Sequence, residues 1–101
     1  MARIAYSATA LCNLEGIADF LATDSEQAAL HALDLIDDAI SMLARHPLVG
    51  RPAENHLREL VISQGRTGYI ALYAYDSAQD VILVLAVRHQ REAGFRYNPA
   101  P

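Results

Sequence analysis

Five consecutive polar residues near the end of the chain, Arg88-His89-Gln90-Arg91-Glu92, have side chains suited to binding or moving charge. A histidine titrates near neutral pH, and an arginine guanidinium binds a carboxylate or a phosphate through two parallel hydrogen bonds. The five residues directly follow an apolar run, and charge at the end of a buried strand commonly forms a site. A solvated strand end is an equally good interpretation of the same pattern.

Two apolar segments must position these residues. The run from Val81 to Val87 has no polar side chain, which is typical of a strand covered on both faces and too short for a membrane span. The run from Tyr69 to Tyr75 is aromatic and aliphatic, and the five residues between the two runs, 76–80, have turn chemistry. The sequence therefore predicts a β-hairpin, in which the alternating tyrosines pack in the core and on the sheet surface.

The composition favours one small domain spanning residues 1–101. There is no run of 18 apolar residues and no N-terminal signal pattern, so we expect a soluble cytoplasmic protein without membrane contact. Cys12 is the one cysteine and the histidines are scattered, so we expect no disulfide, no metal site and no cofactor.

The charge divides along the chain, although the net charge is only −4. Residues 1–44 contain one arginine against seven carboxylates, whereas residues 45–101 contain seven arginines against five carboxylates. No lysine is present. This balance does not favour a general nucleic-acid binder, because such a domain is usually strongly basic.

The first half of the chain predicts a short strand and two helices. Arg3–Tyr6 alternates as a strand does, and Ser7 can cap an amphipathic helix over residues 8–22. Asp24 and Gln27 have the spacing of a capping box for a second helix that runs to about Arg45, before proline at position 47 ends it.

The second half predicts strands. Residues 48–55 contain glycine and proline and indicate a structured loop, and Leu57–Ile62 indicates a strand before the hairpin. The resulting order is β-α-α-β-β-β. We expect an α+β domain in which an N-terminal helix hairpin packs on a small, mainly antiparallel sheet.

Taken together, the segments in this order resemble the RelE/ParE family of toxins from bacterial type II toxin–antitoxin systems. The resemblance covers nearly the whole chain, and the segments that carry it are Tyr6-Ser7, His46-Pro47-Leu48-Val49-Gly50-Arg51-Pro52, Arg58-Glu59-Leu60, Gly68-Tyr69-Ile70-Ala71-Leu72-Tyr73 and Val87-Arg88-His89-Gln90-Arg91-Glu92. It implies the fold derived above and a growth-inhibiting toxin that a cognate antitoxin protein neutralises.

The resemblance leaves the target open, because ParE-like members poison DNA gyrase whereas RelE-like members cleave messenger RNA on the ribosome. For a metal-free ribonuclease, which needs a base, an acid and cations around the phosphate, the candidates are Arg58, Arg66, Arg88, His89 and Tyr97. In particular, Arg66 and Arg88 could hold a phosphate and His89 could transfer a proton.

Departures from the RelE pattern favour the gyrase-directed alternative. Where RelE-like members carry a basic residue after the Gly-Tyr of the third strand, this chain has Ile70-Ala71, and the lysines of ribosome-dependent members are missing. We therefore expect a protein-binding toxin whose target contacts include Arg66, Arg88, His89 and Arg91. A third hypothesis is a module that has kept antitoxin recognition and lost toxicity.

All three hypotheses share an antitoxin surface. On the outer face of the first helix, near the sheet edge, Leu11 and Phe20 are expected to remain incompletely covered. Exposed apolar patches of this kind mark interfaces. The sequence therefore predicts that the antitoxin binds there.

Overall fold

Two helices pack on one face of a five-stranded sheet in the computed structural model, which describes residues 1–63 and 68–90. The elements are β1 (Arg3–Tyr6), α1 (Ala8–Ala22), α2 (Glu26–Ser41), a 3₁₀ turn (Met42–Ala44), β2 (Arg51–Pro52), a second 3₁₀ turn (Glu54–His56), β3 (Arg58–Ile62), β4 (Tyr69–Asp76) and β5 (Val81–His89). The strand order is β1-β5-β4-β3-β2, in which β1 runs parallel to β5 and the other pairings are antiparallel. The predicted α+β class, with a helix hairpin on a mainly antiparallel sheet, is confirmed.

Helix α1 has the predicted bounds. Its N-cap is Ser7, whose hydroxyl accepts a hydrogen bond from the Ala10 N–H at 3.0 Å and so satisfies one of the amides that a helix start leaves without a partner. The same hydroxyl donates to the Leu85 carbonyl of β5 at 2.9 Å. Ser7 therefore fixes the start of α1 to the sheet.

Helix α2 differs from the prediction at both ends. The cap is Ser25, not Asp24, since Ser25 has extended backbone angles and its hydroxyl accepts from the Ala28 N–H at 3.1 Å. The α-helix stops at Ser41 and tightens into the 3₁₀ turn, as helix ends commonly do, and the His46 N–H still binds the Met42 carbonyl directly before Pro47, which cannot continue the ladder.

The segment predicted as a structured loop contains a short edge strand. Arg51 and Pro52 pair with Glu59 and Arg58 of β3, and the Arg51 guanidinium binds the Glu59 carboxylate at 3.0 Å. A proline is tolerated at this position because an edge strand needs no ladder N–H on its outer side. Arg51, and not the neighbouring Arg58, is therefore the ion-pair partner of Glu59.

A β-bulge in β5 determines which side chains face the helices. Leu72 lies opposite Ala86, but the next residue, Tyr73, lies opposite Val84, so Leu85 is an extra residue. Because strand side chains alternate between faces, one extra residue reverses the alternation on either side of it. The bulge thus lets Val84 and Val87 both face the helices, although they are three residues apart.

The core lies between the helices and this face of the sheet. Its fully buried large side chains are Ile36, Ile40, Leu43, Ile62, Tyr73, Ile82 and Val84. The expectation that β5 is covered on both faces is wrong at Leu83, which is 37% exposed beside Ala5 and Ala74 on the face away from the helices. In the described part of the chain, no helix is long and apolar enough to cross a membrane.

The buried side chain of Tyr73 ties the sheet to the loop that follows α2. Its hydroxyl donates to the Pro47 carbonyl at 2.8 Å and accepts from the Gly50 N–H at 2.9 Å. Burial raises the pKa of Tyr73, while the Gly50 hydrogen bond and the Arg58 charge oppose this with smaller effects. The fold therefore favours the neutral phenol.

We expect Tyr73→Phe to lower the free energy of unfolding by about 1–3 kcal/mol, because two buried polar groups lose their partner. A raised folded-state pKa stabilises the fold fully below the unfolded pKa of about 10, and the stabilisation is lost as pH rises through the folded value. Above pH ~10, the free energy of unfolding of the variant should therefore fall less steeply with pH than that of the parent.

Urea unfolding at several pH values measures both effects. The control is Tyr75→Phe, which removes a surface hydrogen bond to Asp80 and should change stability by about 0.5 kcal/mol or less. Equal losses in the two variants would contradict the role given to Tyr73.

Candidate functional site

A groove of about 460 Å³ lies between α1 and the end of the β4–β5 pair. The helix contributes two rows of side chains spaced four residues apart, and the strands contribute the residues at the start of β4 and the end of β5. The lining residues are Cys12, Asn13, Gly16, Ile17, Phe20, Leu21, Tyr69, Val87, Arg88 and His89. The predicted Arg88–His89 segment therefore borders a groove and is not simply a solvated strand end.

Side-chain hydrogen bonds hold α1 against β5 where β1 has ended. β1 pairs with β5 only as far as Val84. Beyond that point Ser7 donates to the Leu85 carbonyl, and Asn13 Oδ1 accepts from the Val87 N–H at 3.0 Å. One wall of the groove is consequently fixed to the other by polar bonds that replace strand pairing.

The helical wall is apolar and open. Phe20 is 74% exposed, and a Cβ added at Gly16 would meet no atom within 4 Å. A glycine inside a helix destabilises it by roughly 1 kcal/mol relative to alanine, and no residue within 1–63 and 68–90 comes close enough to require a glycine here. The groove therefore has room at Gly16 for atoms from another molecule.

His89 and Tyr69 form the strand wall of the groove. Their rings meet edge to face, with centroids 5.3 Å apart and an interplanar angle of 78°. Burial raises the pKa of Tyr69, so its phenol is neutral at physiological pH. This pair offers an aromatic surface that includes one imidazole.

Arg88 and Arg58 leave opposite faces of the sheet. Arg88 lies opposite Ile70 and Arg58 lies opposite Tyr73, and residues opposite each other in an antiparallel pair share a face. Ile70 and Tyr73 are three residues apart in β4, so they point to opposite faces.

Both arginines bind nearby backbone. The Arg88 guanidinium donates to the carbonyls of His89 and Gln90 at 3.2 and 3.3 Å. The Arg58 guanidinium donates to the carbonyls of Leu48 and Gly50 at 3.1 and 2.7 Å. Each therefore stabilises a local chain segment.

His89 shares a face with Arg58 but lies far from it. The partners of the two residues in β4, Tyr69 and Tyr73, are four residues apart, or roughly 13 Å along the strand. The structure thus brings Arg88 and His89 to the same groove and leaves Arg58 away from it. The other predicted site residues, Arg66, Arg91 and Tyr97, lie outside the described residues.

Of the two residues predicted to bind an antitoxin, only Phe20 lines the groove. Leu11 is 54% exposed, as expected, but lies outside the lining. Sequence reasoning missed Cys12, Asn13 and Gly16, although their positions one turn apart from Ile17 and Phe20 were a usable signal. Within residues 1–63 and 68–90, no three His, Cys, Asp or Glu side chains form a possible metal site.

Comparison with known proteins decides the family. Residues 4–94 match the model of the ParE toxin of type II toxin–antitoxin systems, parDE. The chain belongs to this toxin family. A curated relative, Toxin RelE3 of Caulobacter vibrioides, is 33% identical over 73 residues, which cover 72% of this toxin and 77% of the relative.

Solved structures share the fold of the toxin. A chain from the chromosomal ParDE toxin–antitoxin system of P. aeruginosa superposes with a TM-score of 0.72 at 20% identity, covering 88% of this toxin and 96% of that chain. A chain of the RelBE2 toxin–antitoxin complex of Mycobacterium tuberculosis gives 0.57 at 22% identity, covering 88% and 98%. One from the E. coli RelBE complex gives 0.58 at 12% identity, covering 91% and 100%.

Gly16 and Gly50 provide a test of the groove, because Gly16 faces open space and Gly50 is closely surrounded. Gly16→Ala should raise the free energy of unfolding by about 0.5–1 kcal/mol, because the methyl group enters open space and improves helix propensity. Gly50→Ala should lower it by about 1–3 kcal/mol, since its Cβ would stand 2.6 Å from the Tyr73 hydroxyl.

Chemical denaturation of the two variants beside the parent measures these shifts. A destabilised Gly16→Ala variant would show that the groove is filled in solution by part of this chain, contrary to the open geometry.

Proposed function

We propose that this toxin acts by binding and poisoning DNA gyrase, without chemistry of its own, and that a cognate antitoxin neutralises it. The observation that carries the proposal is the placement of Arg58 and Arg88 on opposite faces of the sheet, with each guanidinium bound to nearby carbonyls. A metal-free ribonuclease needs cations and a proton-transfer group around one phosphate. Arg88 and His89 both line the groove, but Arg58 lies away from it, so of the described arginine candidates only one stands beside the proton-transfer group.

The groove beside α1 suits protein recognition. Its helical wall combines an exposed aromatic side chain with small residues, Cys12 and Gly16, which leave room for an incoming backbone. Large aromatic side chains that become buried on binding supply much of the affinity of protein interfaces. We assign the antitoxin to this groove, and the similar P. aeruginosa, M. tuberculosis and E. coli chains come from toxin–antitoxin systems or complexes.

An mRNA interferase using Arg66, Arg88 and His89 is the second candidate. The name of the C. vibrioides relative, RelE3, favours it, and His89 borders a groove in which a substrate could lie. Against it stand the absence of a shared arginine cluster in the described residues and the net charge of −4. Neutralisation of phosphates by basic side chains dominates the affinity of proteins for RNA, so the net negative charge of this protein weakens RNA binding.

His89→Ala distinguishes the two mechanisms. A protein-binding toxin should inhibit gyrase supercoiling within about threefold of the parent, because one ring of a larger surface is lost. A nuclease should lose about 10²- to 10⁴-fold in message cleavage, the usual contribution of a general acid or base. Supercoiling by purified gyrase and primer extension on ribosome-bound message, run side by side, measure both activities.

The control is His31→Ala, which removes an exposed histidine from α2. Full gyrase activity in stoichiometric excess of the parent toxin would end the gyrase proposal. New 5′ ends that disappear in His89→Ala but persist in His31→Ala would establish the nuclease instead.

Phe20→Ser tests the antitoxin assignment. Burying a phenylalanine contributes about 1.5–3 kcal/mol, so the dissociation constant for the antitoxin should rise roughly 10- to 100-fold. The change should leave stability nearly intact because the side chain is exposed in the free toxin. Isothermal titration calorimetry with the purified antitoxin measures the constant.

Leu48→Ser is the matched control, since Leu48 is also an exposed large apolar residue but does not line the groove. Equal losses of affinity in both variants would contradict the assignment of the antitoxin to the groove.

A further inference from the structure

The loop of residues 47–50 is held rigidly at the opposite end of β4 from the groove. The Tyr73 hydroxyl binds the Pro47 carbonyl and the Gly50 N–H, at 2.8 and 2.9 Å. The Arg58 guanidinium binds the Leu48 and Gly50 carbonyls, at 3.1 and 2.7 Å. Two side chains of the sheet thus fix both ends of the loop.

This rigid loop exposes two adjacent aliphatic side chains. Leu48 is 59% exposed and Val49 is 53% exposed, so neither side chain belongs to the buried core. Presenting apolar side chains on a fixed backbone reduces the ordering entropy that a partner must overcome. Such a pair is well suited to insert into a partner and has no evident use within the described fold.

A cavity of about 630 Å³ adjoins the loop. Leu48, Pro52, Leu57, Arg58 and Tyr75 are among the residues that line it. Its rim includes Asn55 and His56, whose φ angles of 60° and 63° lie in the left-handed region. Two successive non-glycine residues in this region are unusual and concentrate at binding sites.

The charge around the cavity is locally positive on an acidic protein. Arg51 is neutralised by Glu59, but within the described residues Arg58 binds only carbonyls and forms no ion pair. Residues 45–59 contain three arginines against two glutamates, whereas residues 1–44 contain one arginine against seven carboxylates. A partner that docks here should therefore present a carboxylate beside an apolar side chain.

We propose that the loop of residues 47–50 and this cavity form a second docking surface, which binds the toxin's protein target through an acidic and apolar segment. The surface is distinct from the α1 groove, since Tyr69 and Tyr75, which border the two cavities, lie about 20 Å apart along β4. This inference rests on the proposed function, because it takes the target to be a protein. Exposed aliphatic side chains such as Leu48 and Val49 suit a protein and not a phosphate backbone.

The double variant Leu48→Ser/Val49→Ser tests the surface without disturbing the core. With purified gyrase as the probe, the concentration of toxin that halves supercoiling should rise at least tenfold. Affinity for the purified antitoxin should stay within about twofold, and the thermal midpoint should stay close to that of the parent. Leu30→Ser removes an exposed leucine of α2 that lines neither cavity, and it should match the parent in all three measurements.

The outcomes separate this inference from the proposed function. A parent toxin that leaves gyrase untouched would overturn both. An active parent with an equally active double variant would overturn the docking surface alone, as would a double variant that loses antitoxin affinity in place of gyrase inhibition. Inhibition that survives in the double variant but is lost in Arg45→Glu would indicate a nucleic-acid contact and would also contradict the proposal.

Discussion

The extra residue at the β5 bulge is the constraint on which the arrangement of this toxin depends. It reverses the alternation of side chains, so that Ile82 and Val84 before it and Val87 and His89 after it all face the helices. Without it, one of the two halves of β5 would present its apolar side chains to the wrong face. The carbonyl of the extra residue, Leu85, accepts a hydrogen bond from Ser7, the residue that caps α1. The bulge and the start of the helix are thus fixed by the same hydroxyl group.

The bulge also explains why consecutive polar residues take different roles. After it, His89 joins Tyr69 on the helix face, whereas Arg88 leaves the other face and binds the chain at the strand end, and both residues border the groove. Arg58 lies on the helix face, but at the far end of β4, where with Tyr73 it fixes the loop of residues 47–50. The predicted arginine and histidine site residues are therefore distributed over two faces of the sheet, with Arg58 distant from Arg88 and His89.

This distribution gives the toxin two separated surfaces that differ in polarity and charge. The groove beside α1 is apolar and has open space at Gly16, which favours an incoming chain segment. The other surface exposes Leu48 and Val49 and has an arginine charge without a carboxylate partner among the described residues. With separate surfaces, a single substitution would change the affinity of the toxin for its antitoxin without changing its affinity for its target, or the reverse.

Most helices and strands could be predicted from the sequence, but the pairing register of the strands could not. The apolar periodicity of α1, its Ser7 cap and the two long strands were recognisable because local propensity and packing agree there. The choice between Asp24 and Ser25 as the cap of α2 depended on where the backbone becomes extended, and both side chains can cap.

The bulge was not predictable, because a run such as Val81–Val87 has no polar residues that would mark an alternation. Its position determines which face Arg88 occupies, so the site could not be assembled from residue types alone. The short strand β2 was hidden by its proline, which is acceptable only because the strand lies at an edge. Gly16 was the missed signal for the groove, since a glycine in a helix interior that no packing requires indicates a functional reason.

The central claim, that Arg58, Arg88 and His89 do not form one phosphate site, can be tested directly by nuclear magnetic resonance. The arginine Nε–Hε and histidine ring signals of the labelled toxin would be followed while a non-cleavable RNA oligonucleotide is added. The account predicts that the signals of Arg58, Arg88 and His89 do not shift together along one saturable curve. Saturable shifts of all three with a common dissociation constant would contradict it.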